Sequence, residues 1–217
     1  AARCGDFFLA RSYLMFSCGT EMDTNGCRRV LLPPIVLAAA TELFNRKGYA
    51  ATTVREIVAM AGVTKPVLYY YFRNKEGIYL DLMGESLTKF EVLLGTSRSD
   101  RGTAGAKIIR LCDRLLAFLI ENIKIARVMY FIYYGPPQGA PFFDCNIFHD
   151  KFRDAVRELI QEGMKTGEFR RADTEDMNWT ILGAVNMAID LELYRPTLSL
   201  GRRGLARVLR LILAGLR

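Results

Sequence analysis

Residues 53–75, TVREIVAMAGVTKPVLYYYFRNK, place the tightest local constraint on what this chain can fold into. Thr53 is a favourable helix N-cap, and Glu56 stands three residues later, where the pair can close a capping box. Val54, Ile57, Val58 and Ala61 then share one face at helical spacing. Gly62 can take the left-handed conformation that ends a helix. Val63 can plug the core from within the turn. Thr64 is a second N-cap, and Pro66 falls in the first turn that follows, where a missing N–H removes no intrahelical bond. The reading is two short helices joined by a turn of about four residues, the layout of a helix-turn-helix.

The second helix, through Phe72, carries the surface chemistry of a DNA reader. Leu68 and Phe72 lie four apart and can pack inward. Lys65, Val67, Tyr69, Tyr70 and Tyr71 remain to face outward or sideways. Tyrosine hydroxyls and the Lys65 ammonium can hydrogen-bond phosphates or base edges. Asn74 can cap the next helix, and Lys75 stands at that helix's N-terminus, where the dipole favours a phosphate. Three adjacent tyrosines on one helix cannot all be buried, and any buried one needs a partner for its hydroxyl. A small helical subdomain with an aromatic core and no ligand is the competing account.

The surrounding segment, IVLAAATELFNRKGYAATTVREIVAMAGVTKPVLYYYFRNKEGIYLDLM at residues 35–83, resembles the DNA-binding domain of TetR/AcrR-type transcriptional regulators. The shared features are the I-V-x-A-A-x-x-x-L-F start, the G-Y-x-x-T-T-V-x-x-I centre with its A-G-V-T turn, and the L-Y-x-Y-F-x-x-K-E end. Val58 stands where alanine is usual, Pro66 where a small residue such as glycine is common, and Tyr71 where histidine or tyrosine is found. The resemblance implies phosphate contacts from Thr53, Thr64 and Lys75, base-edge or phosphate contacts from Lys65, and base or backbone contacts from Tyr69 and Tyr70. Pro66 and Val67 would alter which bases are read. Arg28 and Arg29 would form a basic arm before the first helix. Repression is the mode it implies.

Composition agrees with a polyanionic partner. The net charge is +7, which favours DNA through counterion release. Arg202, Arg203, Arg207 and Arg210 make the last helix basic, which a solvated helix face also explains. No charge-free apolar run reaches the length of about 18 residues that a membrane-spanning helix needs. The five cysteines, Cys4, Cys18, Cys27, Cys112 and Cys145, are odd in number and fit no metal spacing. A reduced, cytoplasmic chain is the expectation, with redox sensing by Cys112 or Cys145 as a minor alternative. His149 is the single histidine, so neither a metal site nor a Ser–His–Asp triad is expected. No catalytic residue and no cofactor are assigned.

The first thirty residues show no clear periodicity. Arg11 interrupts the apolar stretch 7–19, which weakens a signal-peptide reading. Residues 1–21 are expected to be an upstream extension foreign to the native start, with Met22 as that start. A genuine extension packing on the body or on a membrane surface is the alternative.

Elsewhere the apolar residues recur at helical spacing and strand-like alternation is absent. The expected fold is all-α with about nine helices. Residues 1–30 are the extension, 31–80 the three-helix helix-turn-helix domain, and 81–217 a helical effector-binding and dimerisation domain. The first helix starts at Ile35, the fourth runs from Lys75 to Leu94, and residues 95–105 form a loop. Reading two half-sites of a palindromic operator in double-stranded DNA needs a two-fold dimer. Residues 174–191 and 202–216 are the candidates for its interface, with Gly183, Ala184 and Ala188 allowing close approach. Aromatics crowd residues 129–148. Met129, Tyr130, Tyr133, Tyr134, Phe142, Phe143 and Phe148, with Trp179 and Met187 later in the chain, are the candidates for an effector pocket, which the resemblance also implies. An ordinary aromatic core explains any one of them equally well. A helical enzyme using the same cavity and a DNA-binding protein without an effector are the other readings.

Overall fold

The computed structural model describes residues 26–216, with side chains from Leu32 onward except that of Arg98. The side chains of Arg28 and Arg29 and the extension at residues 1–21 lie outside the described residues. Among the described residues there are nine α-helices, one short 3-10 turn and no strand, as the all-α reading expects. The helices are α1 (Gly26–Ala51), α2 (Val54–Ala61), α3 (Lys65–Phe72), α4 (Lys75–Arg98), α5 (Ala104–Glu121), α6 (Ile123–Tyr134), α7 (Asn146–Thr166), α8 (Thr174–Tyr194) and α9 (Gly201–Gly215). They form two compact units. One holds the chain up to Leu82 together with Pro137–Pro141, and the other holds Met83–Pro136 and Phe142 onward.

In the first unit α1 buries Val36, Leu37, Ala40, Leu43 and Phe44, one face at the 3.6-residue period. It begins upstream of Ile35 and carries Pro33 and Pro34 within it, where the loss of internal N–H donors argues for a later start. Gly48 breaks its helical geometry at φ 83°. The chain then turns Tyr49 inward, where its ring meets Phe44 at 5.2 Å and Tyr79 at 5.5 Å between centroids. The Thr52 hydroxyl donates to the Gly48 carbonyl at 2.8 Å and closes that turn.

The capping box forms as the sequence predicts. The Thr53 hydroxyl accepts from the Glu56 N–H at 3.3 Å, and the Glu56 carboxylate accepts from the Thr53 N–H at 3.0 Å. Gly62 ends α2 in the left-handed conformation, φ 65°. Between α3 and α4, Arg73 adopts φ 60°. The Asn74 carboxamide oxygen accepts from the Gly77 N–H at 2.7 Å, which caps α4. Gly77 allows this approach because a Cβ there would stand 2.1 Å from the Phe72 carbonyl oxygen.

The loop expected at residues 95–105 is shorter in the structure, because α4 continues to Arg98. The Thr96 and Ser97 hydroxyls donate back to the Leu93 and Leu94 carbonyls at 2.8 and 2.6 Å. Residues that usually favour turns thereby satisfy themselves along the helix. The next helix, α5, starts under the Thr103 cap, whose hydroxyl accepts from the Ala106 N–H.

The second unit is built around α5. Ile108, Leu111, Cys112, Leu115 and Leu116 form one buried stripe against Val156 and Ile160 of α7, Ile181 and Val185 of α8, and Leu205 and Leu209 of α9. At about 1.5–3 kcal/mol for each large apolar side chain removed from water, this stripe supplies most of the unit's cohesion. Ion pairs Arg114–Asp100, Lys107–Glu162 and Arg202–Asp113 rim it. Arg202 is thereby tied back onto α5, whereas Arg203, Arg207 and Arg210 of the same helix are exposed. Burial pushes the Cys112 thiol up to about 12 and the Cys145 thiol up to about 11. Both stay protonated near neutral pH, which removes the thiolate a redox sensor needs.

Candidate functional site

Two sites deserve description, one in each unit. The first is the outer face of α3. Leu68 and Phe72 are buried and anchor the helix. Rotation by 3.6 residues per turn then leaves Lys65, Pro66, Tyr69 and Tyr70 outside, with Tyr70 at 70% exposure the most open of the aromatics there. Val67 and Tyr71 lie at the edges, half-buried, and Tyr71 meets Tyr70 edge-to-face at 5.0 Å. Thr64 occupies the N-cap position, but its hydroxyl makes no capping bond. That hydroxyl is exposed beside Lys65 at the start of the helix.

Two of the expected contact residues are engaged with the protein itself. The Thr53 hydroxyl donates to the Glu56 carboxylate at 2.7 Å as well as capping α2. Lys75 was expected to face a phosphate. Its ammonium instead donates to the Tyr49 and Thr52 carbonyls at 2.9 and 3.0 Å and lies 4.1 Å from the centre of the Tyr49 ring. Those bonds satisfy the chain leaving α1, at a site the sequence spacing does not reveal, and burial lowers the lysine pKa. A further link absent from the sequence reading joins α1 to α2, where Lys47 pairs with Glu56 at 2.5 Å. Hydrogen bonds from Lys47 and then from Thr53 hold the Glu56 carboxyl down at about 2.

The second site is a cavity inside the second unit, about 90 Å³ in volume, opening beside a cleft of about 640 Å³. The cavity wall comes from five helices. Ser86 and Phe90 of α4 face Leu115, Phe118 and Leu119 of α5, while α6 contributes Ile125, Ala126, Met129 and Tyr130. Phe148, His149 and Phe152 of α7, Asn186 and Ile189 of α8, and Asn122 between α5 and α6 complete it. The cleft is bordered by Tyr134, Met187, Asp190, Leu191, Tyr194 and Arg195, and it shares Tyr130, His149 and Asn186 with the cavity. Burial, then the neighbouring Tyr134 and Asp190, raise the Tyr130 pKa, so its phenol stays neutral.

Of the nine residues expected here, Met129, Tyr130 and Phe148 line the cavity, and Tyr134 and Met187 line the cleft. Phe143 stands one step behind, 6.3 Å from the Phe148 ring. The remaining three border neither space. Tyr133 packs edge-to-face on the Tyr134 ring at 4.7 Å and donates to the Asn146 carboxamide. Phe142 is 88% exposed in the loop before α7, and Trp179 is 62% exposed on α8. Ala126, Tyr130 and Tyr134 follow one another at four-residue spacing along α6 where it meets the cavity and the cleft, while the Tyr133 hydroxyl is drawn to Asn146. Phe90, Leu115, Phe118, Leu119 and Phe152 were missed, because at core periodicity a cavity wall and a filled core look alike. Asn186 and His149 carried the usable signal, as polar residues falling on otherwise apolar faces.

Among the described residues no group of three His, Cys, Asp or Glu is placed to hold a metal, and no helix is long and apolar enough to cross a membrane.

Comparison with known proteins agrees with this geometry. Residues 36–82 match the model of the bacterial regulatory proteins of the tetR family. The chain is 39% identical over 164 residues to the HTH-type transcriptional regulator QacR of Staphylococcus aureus, covering 70% of this chain and 80% of that protein. It is 39% identical over 146 residues to the class A tetracycline repressor protein of Escherichia coli, covering 64% of this chain and 58% of that one. The fold matches a solved structure of the regulator FadR from Bacillus subtilis in complex with stearoyl-CoA, with a TM-score of 0.63 and 18% identity over 85% of this chain and 99% of that one. The match to the family model and to QacR shows that the chain belongs to the TetR family of bacterial transcriptional regulators.

Proposed function

We propose that this protein is a cytoplasmic repressor that binds a palindromic operator as a homodimer and leaves it when a small, largely apolar effector enters the cavity of the second unit. The observation that carries this reading is the cavity. A helical unit needed only for dimerisation would fill that space with side chains, since protein interiors are close-packed. Here an apolar wall encloses about 90 Å³ beside an open cleft. FadR, whose fold the chain shares, holds stearoyl-CoA, and the tetracycline repressor carries its mode of action in its name. Both support an effector-released repressor.

In this reading α3 enters the major groove. Thr64 and Lys65 approach phosphate and base edges at its start, and Tyr69 and Tyr70 reach bases or backbone. Tyr71 and Val67 flank them. Thr53 and Lys75 position the helices from behind. Lys75 keeps one donor for a phosphate, since an ammonium has three and two are in use, whereas both donors of Thr53 are taken by Glu56 and reach a phosphate only if that pairing opens. The dimer forms through α8 and α9. Their outer faces expose Trp179, Met187 and Leu211, together with Gly183. The effector acts by binding one of two states of the dimer more tightly, which shifts the population away from the operator-binding one.

An enzymatic use of the cavity is disfavoured by its wall, which presents no carboxylate, lysine or cysteine. The test is selection of bound DNA from a genomic pool at two salt concentrations, followed by release assays on the recovered site. A palindrome with half-sites one helical turn apart, bound more weakly in the presence of a small amphipathic compound, is the expected result. Salt-sensitive binding with no motif would overturn the reading.

A further inference from the structure

The polar groups of the second site have an arrangement that narrows the effector's chemistry. Tyr130, His149 and Asn186 border both the inner cavity and the outer cleft, so together they form the throat between them. Among the described residues the Tyr130 hydroxyl, the His149 ring and the Asn186 carboxamide make no hydrogen bond to protein. All three are half-buried. Their polar atoms are open to the space they border, so each is available to a ligand there. A phenol, an imidazole and a carboxamide together offer both donors and acceptors. Such a set suits a group that both gives and receives hydrogen bonds.

Charge around the throat points the same way. The cleft presents one acid, Asp190, and one base, Arg195, at the end of the same helix. Neither sign dominates, so the site gives no strong preference to an anion or a cation.

Size limits the other end of the ligand. The inner cavity holds about 90 Å³. A water occupies about 30 Å³ of liquid, and an apolar cavity of about 150 Å³ accepts a benzene ring. Met129 is the adaptable part of the wall, because an unbranched thioether repacks at little cost. A short branched alkyl group fits directly, and a single ring fits with that adjustment. A long chain does not.

Resting on the reading of this cavity as the effector site, we infer that the effector is a compact uncharged amphiphile, with one ring or a short branched alkyl group in the cavity and a hydroxyl- or amide-type head at the throat of Tyr130, His149 and Asn186.

The probes are 3-phenylpropan-1-ol, its ammonium and carboxylate counterparts, propylbenzene and dodecan-1-ol, titrated calorimetrically into the full chain and then assayed for release of operator DNA. The alcohol should bind at least tenfold more tightly than either charged counterpart and than dodecan-1-ol. Tyr130→Phe and Asn186→Ala should each weaken the alcohol about tenfold while leaving propylbenzene within twofold, a split that general damage to the unit would not produce. Equal or tighter binding of dodecan-1-ol or of a charged probe overturns the inference, as does equal weakening of alcohol and propylbenzene in the variants. If a long or charged probe binds and releases DNA, the repressor reading stands and only this inference falls. If no probe binds, both fall.

Discussion

The Lys75 ammonium sits 4.1 Å above the centre of the Tyr49 ring and donates to the Tyr49 carbonyl at 2.9 Å. One side chain at the start of α4 therefore secures the chain where α1 ends. Replacing it by methionine keeps the apolar stem, removes the donor to the Thr52 carbonyl and leaves the Tyr49 carbonyl with the Thr52 N–H alone. The expected loss is about 1–3 kcal/mol, read as a lower urea midpoint. A lysine whose sole role is to touch DNA would leave that midpoint unchanged.

Glu56 makes a prediction about acid. Its carboxyl is held at about 2 in the folded state, below its ordinary value of 4.5. A depressed folded pKa contributes stability that is fully present above 4.5 and lost as pH falls towards 2. Glu56→Gln removes the titrating group. The stability profile of the variant between pH 5 and pH 2 should be flatter than that of the parent, measured by thermal melts across that range. The same slope in both proteins would show that the Lys47 pair and the capping box contribute nothing to acid sensitivity.

The legible and illegible parts of the fold divide by range. Thr53 with Glu56, Gly62 as a stop, and Asn74 as the cap of α4 were readable because each is satisfied within four residues of itself. Leu68 and Phe72 followed from spacing alone. The bonds Lys75 makes to the protein are not legible because their acceptors lie more than twenty positions earlier, where a glycine break turns two carbonyls towards it. The end of α4 was placed too early because Gly95, Thr96 and Ser97 read as a turn, and helical neighbours on both sides overrode that preference. In the second unit the aromatic density of residues 129–148 drew attention to α6, where Met129 and Tyr130 border the cavity and Tyr133 turns to Asn146. The cavity itself was invisible, because Phe90, Leu115 and Phe152 repeat with the period of a filled core.

Gly163 faces the ring of Phe169, and a Cβ there would stand 2.2 Å from its Cδ2. Alanine in a helix is favoured over glycine by about 1 kcal/mol. Forcing a buried ring aside costs about 1–3 kcal/mol. Phe169 is buried and has little room to yield, so Gly163→Ala should destabilise on balance. A calorimetric melting temperature above that of the parent would refute this.

On α3 the exposed side chains should contribute to binding and not to folding. Lys65→Ala and Tyr70→Ala are each expected to weaken operator binding by about 1–3 kcal/mol, with the lysine variant also reducing the salt slope by about one. Their melting temperatures should match the parent. Leu68→Ala is the opposite control, since removing a fully buried leucine costs about 2–5 kcal/mol of stability. Fluorescence anisotropy with labelled operator separates the two classes.

Leu211 on α9 is 76% exposed, an open position for a large apolar residue that the proposed dimer would cover. Leu211→Arg should shift the protein towards monomer in sedimentation and weaken operator binding in proportion, because two half-sites would then be read independently. An unchanged sedimentation coefficient would move the interface elsewhere.

Gln138 lies beyond α6 in the chain, yet its carboxamide oxygen accepts the Tyr49 N–H at 2.8 Å, and Pro137–Pro141 belong to the first unit. The DNA-binding unit is thus assembled from two separate stretches of sequence. A fragment cut at Leu82, however neatly it matches the family segment, would carry the Tyr49 N–H without the carboxamide that accepts it. Domain exchange between relatives at that boundary would transfer a reader with one of its fastenings left behind, so a functional graft needs the Pro–Pro–Gln segment to travel with it.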